Sequence, residues 1–228
     1  MSFKFDDNGV VKTFHGNTII CHIPQQTDFF NRLLDFYRFA KRLSFYDKIT
    51  LLPPSSYHVT IMNCCHEHDR SVGHWPTGLG ADASISECHN HLAQLFKDAN
   101  FRDQGTNPSG VELKVHIPPK DELPSSKPRS INVIVKPSNT SQETAIKQLR
   151  DSISALTGLE DPSHDSIKFH ITLAYINEEL KDSEVEELNS HLGNLHCILD
   201  RDCPVVQLGE PEFVTFEDMF YFHLVTKL

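Results

Sequence analysis

Apolar and polar residues alternate in short runs along much of this chain, and longer stretches with helical spacing separate the runs. Thr18 to Ile23, bounded by Gly16-Asn17 and Pro24, predicts a strand. From Phe29 to Leu43, residues Phe30, Leu33, Leu34, Tyr37, Phe39 and Ala40 supply the apolar stripe of a helix. Pro53-Pro54 breaks the chain before a second alternating run, Tyr57 to Cys64. The Gly- and Pro-bearing stretch from His66 to Asp82 reads as a long surface loop. Ser84 followed by Glu87 three residues on forms a capping box for a helix to about Asn100. A strand from Val111 to Ile117 then ends at Pro118-Pro119.

After a Pro/Ser/Lys loop at 118–129 the order repeats. A strand (Ser130 to Val135) precedes a helix (about Ser141 to Leu156), a loop (Thr157 to Ser166) and an alternating strand (Lys168 to Ile176). A helix from Asp182 to about Leu195, capped by Asp182 or Ser183, leads to closing strands at Val205 to Thr215 and Phe220 to Thr226. Each half therefore reads strand, helix, strand, helix, strand. The expected fold is α+β: one two-lobed unit over 1–228, with pattern halves at 14–117 and 130–226. Antiparallel sheets, flanked by helices, would enclose a central cleft.

The middle strand of each half carries the same phrase. Tyr57-His58-Val59-Thr60-Ile61 and Phe169-His170-Ile171-Thr172-Leu173 are each aromatic, histidine, aliphatic, threonine, aliphatic. Strand side chains alternate faces, so the aromatic and aliphatic positions point to a core while histidine and threonine share the opposite face. With 14 His and 13 Thr in 228 residues, about one His-x-Thr is expected by chance, so a single copy means little. Two copies, both on alternating strands 112 positions apart, mean more. His164-Asp165-Ser166 fits a looser pattern but lies in a turn-like stretch with Asp161, Pro162 and Ser163.

Paired His-x-Thr strands, one per half, resemble the signature of the 2H phosphoesterase superfamily, which includes RNA 2′-5′ ligase-like proteins and cyclic nucleotide phosphodiesterases. The resemblance covers essentially the whole chain and is to a poorly characterised branch. It implies hydrolysis of a 2′,3′-cyclic phosphate, a 2′-5′ linkage or a related cyclic phosphodiester on a small nucleotide or RNA end. Histidine titrates near physiological pH, so two of them can act as base and acid on opposite sides of one phosphorus. His58, Thr60, His170 and Thr172 are the catalytic candidates, with the threonines donating to non-bridging oxygens. No cofactor is expected. Lys168 and Ser56, each two residues before a motif histidine, fall on the same strand face. Trp75, the sole tryptophan, is a candidate base-stacking residue and Arg129 a candidate nucleotide contact.

Composition narrows the setting. Hydrophobic residues at 39% and charged residues at 23% suit an ordinary globular protein. The net charge of −10 argues against a grip on long duplex nucleic acid, which needs many Lys and Arg contacts to phosphates. Neither a membrane-spanning run nor a secretory signal is apparent, so a cytoplasmic location with reduced thiols is expected for Cys21, Cys64, Cys65, Cys88, Cys197 and Cys203. Two rival readings remain. Cys64, His66 and His68 would share a face with His58 if the strand ran on, which suggests a metal site. A cleft that holds a nucleotide or RNA end without turnover is the other.

Overall fold

The computed structural model describes residues 4–6, 8–99, 101, 110–118 and 128–228. Among these, four helices back a curled antiparallel sheet. In chain order the elements are β1 (Gly16–His22), α1 (Asp28–Phe39), β2 (Ile49–Leu51), β3 (His58–His66), α2 (Ile85–Ala99) and β4 (Glu112–Val115). Then come β5 (Ser130–Pro137), α3 (Thr140–Thr157), β6 (His170–Ile176), α4 (Asp182–Asp202), β7 (Val205–Gln207), β8 (Glu212–Phe216) and β9 (His223–Lys227). The strands run β7-β4-β5-β6-β3-β1-β8-β9, with β2 pairing on β6. The α+β class with antiparallel sheet and flanking helices is therefore as expected.

The sheet does not divide where the sequence pattern divides. β4, from the first half, pairs with β5 and β7, while β8 and β9, from the second half, extend β1. The expected strand over Val205 to Thr215 is two strands far apart in this order, β7 at one edge and β8 between β1 and β9. Gly209 and Pro211 interrupt it, and neither suits a continuous ladder. α4 runs on past Leu195 to Asp202, because its next breaker is Pro204. Its cap is Lys181 in place of Asp182 or Ser183: the Lys181 backbone N–H donates to the Glu184 carboxylate at 2.7 Å. The helix at Asp28 ends at Phe39 and tightens into a 3₁₀ turn over Ala40–Arg42. Asn100 and residues 119–127 of the Pro/Ser/Lys loop lie outside the described residues.

The helices present one apolar face each. Cys88, Leu92 and Phe96 of α2, and Leu188, Leu192, Leu195 and Leu199 of α4, are buried at three- and four-residue spacing. α3 packs on β3 and β5. Tyr57, Val59, Ile61, Phe169, Ile171 and Leu173 are buried in the core, as the alternation requires. Among the described residues, no helix is long and apolar enough to cross a membrane.

Candidate active site

β3 and β6 are neighbours, paired at Val59 and Ile171. That pairing sets the two His-x-Thr segments side by side on the sheet face away from the core. His58, Thr60, His170 and Thr172 all line one cleft of about 720 Å³. The two imidazoles are held alike. His58 Nδ1–H donates to the Ser56 carbonyl at 2.7 Å, and His170 Nδ1–H donates to the Lys168 carbonyl at 2.8 Å. A carbonyl can only accept, so each neutral ring keeps its proton on Nδ1 and its lone pair on Nε2.

Their surroundings differ. His58 is half-buried, with the Phe222 ring edge-on at 4.4 Å between centroids, whereas His170 is exposed. Burial pushes His58 down to about 4, and the nearby charges of His22, His170 and Lys4 add to this against the opposing Ser56 hydrogen bond. His58 is consequently neutral near pH 7.

The remaining expected contacts separate. Lys168 lines the cleft, and its carbonyl orients His170. Ser56 contributes through its backbone: its hydroxyl turns away to the Pro53 carbonyl at 2.8 Å, because the segment forms a 3₁₀ turn over Pro54–Ser56. Trp75 and Arg129 are not among the described residues that line the cleft. Trp75 is buried, donates from Nε1 to the Gly80 carbonyl at 3.1 Å and carries the Arg70 guanidinium 3.9 Å from its ring centroid. It anchors the 66–82 loop, with its face covered. Arg129 is exposed, and its carbonyl accepts the Ile176 N–H at 3.0 Å.

Cys64, His66 and His68 do not converge as the metal reading requires. Among the described residues, no cluster of three or more His, Cys, Asp or Glu side chains is arranged to hold a metal ion. The β3 register shifts twice, so alternation does not carry from His58 to His68. Cys64 and His66 line the cleft, while the His68 ring packs 5.5 Å from Phe14. Burial pushes the Cys64 thiol up, away from thiolate.

Both motif strands carry the same irregularity just after the threonine. Ile19 pairs with Met62 and Ile20 with Thr60; likewise Ile131 pairs with Ala174 and Asn132 with Thr172. In each case one step on the neighbouring strand spans two on the motif strand, which is a β-bulge. Ile61-Met62 and Leu173-Ala174 are therefore consecutive buried pairs. Beyond the bulge the faces swap, and Asn63 and Tyr175, each three residues after a motif threonine, enter the cleft lining. Strict alternation points both away. The apolar doublets after the threonines are the sequence signal that marks the bulges. Lys4, the other cation missed in the lining, arrives on a distant N-terminal segment that no local pattern connects to the site.

Two solved structures and one family model are similar to the chain. A solved structure of a conserved protein of unknown function from Agrobacterium tumefaciens matches with a TM-score of 0.83 over 100% of this chain and 91% of its own, at 22% identity, which shows the fold. A Thermus thermophilus protein aligns at a TM-score of 0.46 and 13% identity, over 87% of this chain and 86% of its own. No curated protein matches. Residues 4–113 match the family 2H-phosphodiest, described as a domain of unknown function (DUF1868), which supports a phosphodiesterase-like function. Those residues, which hold His58 and Thr60 on the first of the paired strands, are thus similar to the 2H-phosphodiest family.

Proposed function

We propose that the protein hydrolyses a 2′,3′-cyclic phosphate, or a related cyclic or 2′-5′ phosphodiester, on a nucleotide or RNA end by two-histidine acid–base catalysis. One observation carries this reading: two imidazoles with the same Nδ1 anchoring and two threonines line a single cleft. His58, held neutral, is the base, and its Nε2 takes a proton from water as the water oxygen bonds to phosphorus. His170 in its protonated form is the acid. Its Nε2 proton goes to the ribose oxygen as the P–O bond to that oxygen breaks, leaving a phosphate monoester. Solvent exchange then restores both rings. Thr60 and Thr172 donate to the non-bridging oxygens, where charge shifts in the transition state, and Lys168 adds a positive charge at the rim.

The test is hydrolysis of 2′,3′-cyclic nucleotides and 2′-5′ dinucleotides with excess EDTA, for wild type, His58→Ala and His170→Ala. Turnover that resists the chelator and is lost in both folded variants is the expected result. Undiminished activity in both variants overturns the reading. Binding of nucleotide without turnover would favour the non-catalytic alternative.

A further inference from the structure

Asn63 is exposed in the lining of the cleft, three residues after Thr60. At about 3.3 Å per strand residue it stands roughly 10 Å along β3 from a phosphate held at Thr60. That is the reach from a ribose phosphate, across the sugar, to the far edge of the base.

The orientation of this amide is fixed by what lies behind it. Its Nδ2 is 3.3 Å from the Asp161 Oδ2, and its backbone N–H donates to the same oxygen at 3.1 Å. A carboxylate only accepts, so the amino end of the amide must face Asp161. The carboxylate is itself locked. Ser163 N–H and hydroxyl donate to its Oδ1 at 2.8 and 2.7 Å, and Arg150 Nη2 lies 3.7 Å away, with both Asp161 and Arg150 buried. A buried ion pair carries a desolvation cost, yet this one ends on an exposed side chain in the cleft. The second Nδ2–H and the Oδ1 of Asn63 are turned from Asp161, and neither has a partner among the described residues.

The polar side chains around it serve the fold. Thr18, the register partner of Asn63, gives its hydroxyl proton to the Met62 carbonyl at 2.9 Å. Asn17 accepts the Cys65 N–H and donates to the Cys88 thiol. Tyr175, at the matching place after the β6 bulge, has its hydroxyl between Lys4 and Met219. The two halves of the cleft are thus alike at the motifs and unlike here. A phosphate, which only accepts, would set oxygen against the Asn63 Oδ1. The edge of a nucleobase, where a donor adjoins an acceptor, is the complement. Adenine and cytosine present amino donor and ring acceptor in one order, and guanine and uracil present oxo acceptor and ring N–H in the reverse. An amide that Asp161 prevents from flipping accommodates one order.

We propose that Asn63 is a specificity-determining residue, whose fixed amide pairs with the base of a ribonucleotide and separates amino bases from oxo bases. This rests on the phosphodiesterase reading for the position of the phosphate.

Binding of product-like ligands tests recognition apart from turnover. Calorimetry would compare adenosine, guanosine, cytidine and uridine 3′-monophosphates with ribose 3-phosphate, on wild type and Asn63→Leu. The variant leaves Asp161 its bonds from the backbone N–H at 63 and from Ser163. Wild type is expected to discriminate about ten-fold within each ring size, adenosine against guanosine and cytidine against uridine, with the same sign in both pairs. That is the scale of one amide–base pairing. In Asn63→Leu both ratios should fall to about two-fold or less, while affinity for ribose 3-phosphate stays unchanged, which also reports an intact cleft. The proposal is overturned by wild-type ratios near one or of opposite sign, by no nucleotide binding, by ratios that survive Asn63→Leu, or by an equal loss on ribose 3-phosphate. Hydrolysis indifferent to the base would overturn it and leave the catalytic reading standing. Asn63-dependent discrimination without hydrolysis of any substrate would do the reverse.

Discussion

Val59 and Ile171 face each other across β3 and β6, and this backbone pairing is what joins the two motifs. Both side chains are fully buried, so each anchors its strand to the core while the flanking residues turn into the cleft. Carried one residue to either side, the antiparallel register sets His58 opposite Thr172 and His170 opposite Thr60. Each histidine thus lies beside the threonine of the other motif. On the proposed reading, a phosphate between the strands would be met by these two imidazoles and two threonines, all of which line the one cleft.

From this arrangement, His58→Ala and His170→Ala should each lower kcat/KM by about 10²-fold or more, the usual contribution of a general acid or base. Thr60→Val and Thr172→Val should each lower kcat by about 10²-fold, the scale for removing one donor to a developing charge. Steady-state kinetics on folded variants checks both. Near-wild-type kcat in both threonine variants would remove them from the mechanism.

The acid limb of the pH–rate profile should be displaced. A base must be unprotonated to act, and burial holds His58 at about 4, so kcat/KM should fall off only near that pH and not near the ordinary 6.5. Phe222→Ala opens the ring face to water and should move the limb upwards. A limb near 6.5 in wild type, unmoved by Phe222→Ala, would reassign the base.

Much of this site was legible because its signals are local. The alternation through Tyr57–Ile61 and Phe169–Leu173 places core and cleft residues correctly. The Ser84–Glu87 capping box is likewise present: Ser84 N–H and hydroxyl both donate to the Glu87 carboxylate at 2.7 Å, and Glu87 N–H donates to the Ser84 hydroxyl at 3.2 Å. What escaped depends on long-range pairing. β2 has three residues, too few for a period, and exists through its ladder to β6. The exchange of β4 and β8 between the sequence halves is a choice of partner, which alternation does not encode. Strict alternation alone does not bring Asn63 and Tyr175 into the cleft, because a bulge resets the period of two. Trp75 proves to be an anchor, a role that aromatic character alone does not distinguish from a stacking face.

The β3 bulge has its own support, and that support can be tested. Arg150 of α3 donates to the Ile61 carbonyl, while Asp161 accepts the Asn63 N–H at 3.1 Å. Arg150 Nη2 and the Asp161 carboxylate lie 3.7 Å apart, with both side chains almost wholly buried. Burial tends to raise the Asp161 carboxyl, but hydrogen bonds from Ser163 and Asn63 and the Arg150 charge hold it below the ordinary range. Removing one partner strands the other charge, so Asp161→Ala should cost about 3–5 kcal/mol in denaturant unfolding. Arg150→Met combined with Asp161→Asn should be less damaging than Asp161→Ala. An additive double variant would mean that the two groups do not act as a pair.

A second buried polar link predicts how stability depends on pH. His196 of α4 donates from Nδ1 to the Leu192 carbonyl at 2.7 Å and accepts the Ile134 N–H on Nε2 at 3.1 Å, beside the register pair Ile134–His170. Both ring nitrogens are therefore committed to the neutral form, and a second proton would set donor against donor. Burial lowers His196 below its ordinary 6.5, whereas the unfolded chain titrates normally. As pH falls below 6.5 the unfolded state binds more protons than the folded state, so stability present at neutral pH is lost on acidification. His58, His66 and His89 shift in the same direction and contribute to the same slope. His196→Gln isolates one share of it, since a glutamine oxygen can accept the Ile134 N–H but cannot titrate. The variant should be destabilised by about 1 kcal/mol at pH 7 and should lose less stability than wild type between pH 7 and pH 5 in urea unfolding. Parallel pH profiles for the two proteins would show that His196 titrates alike in the folded and unfolded states.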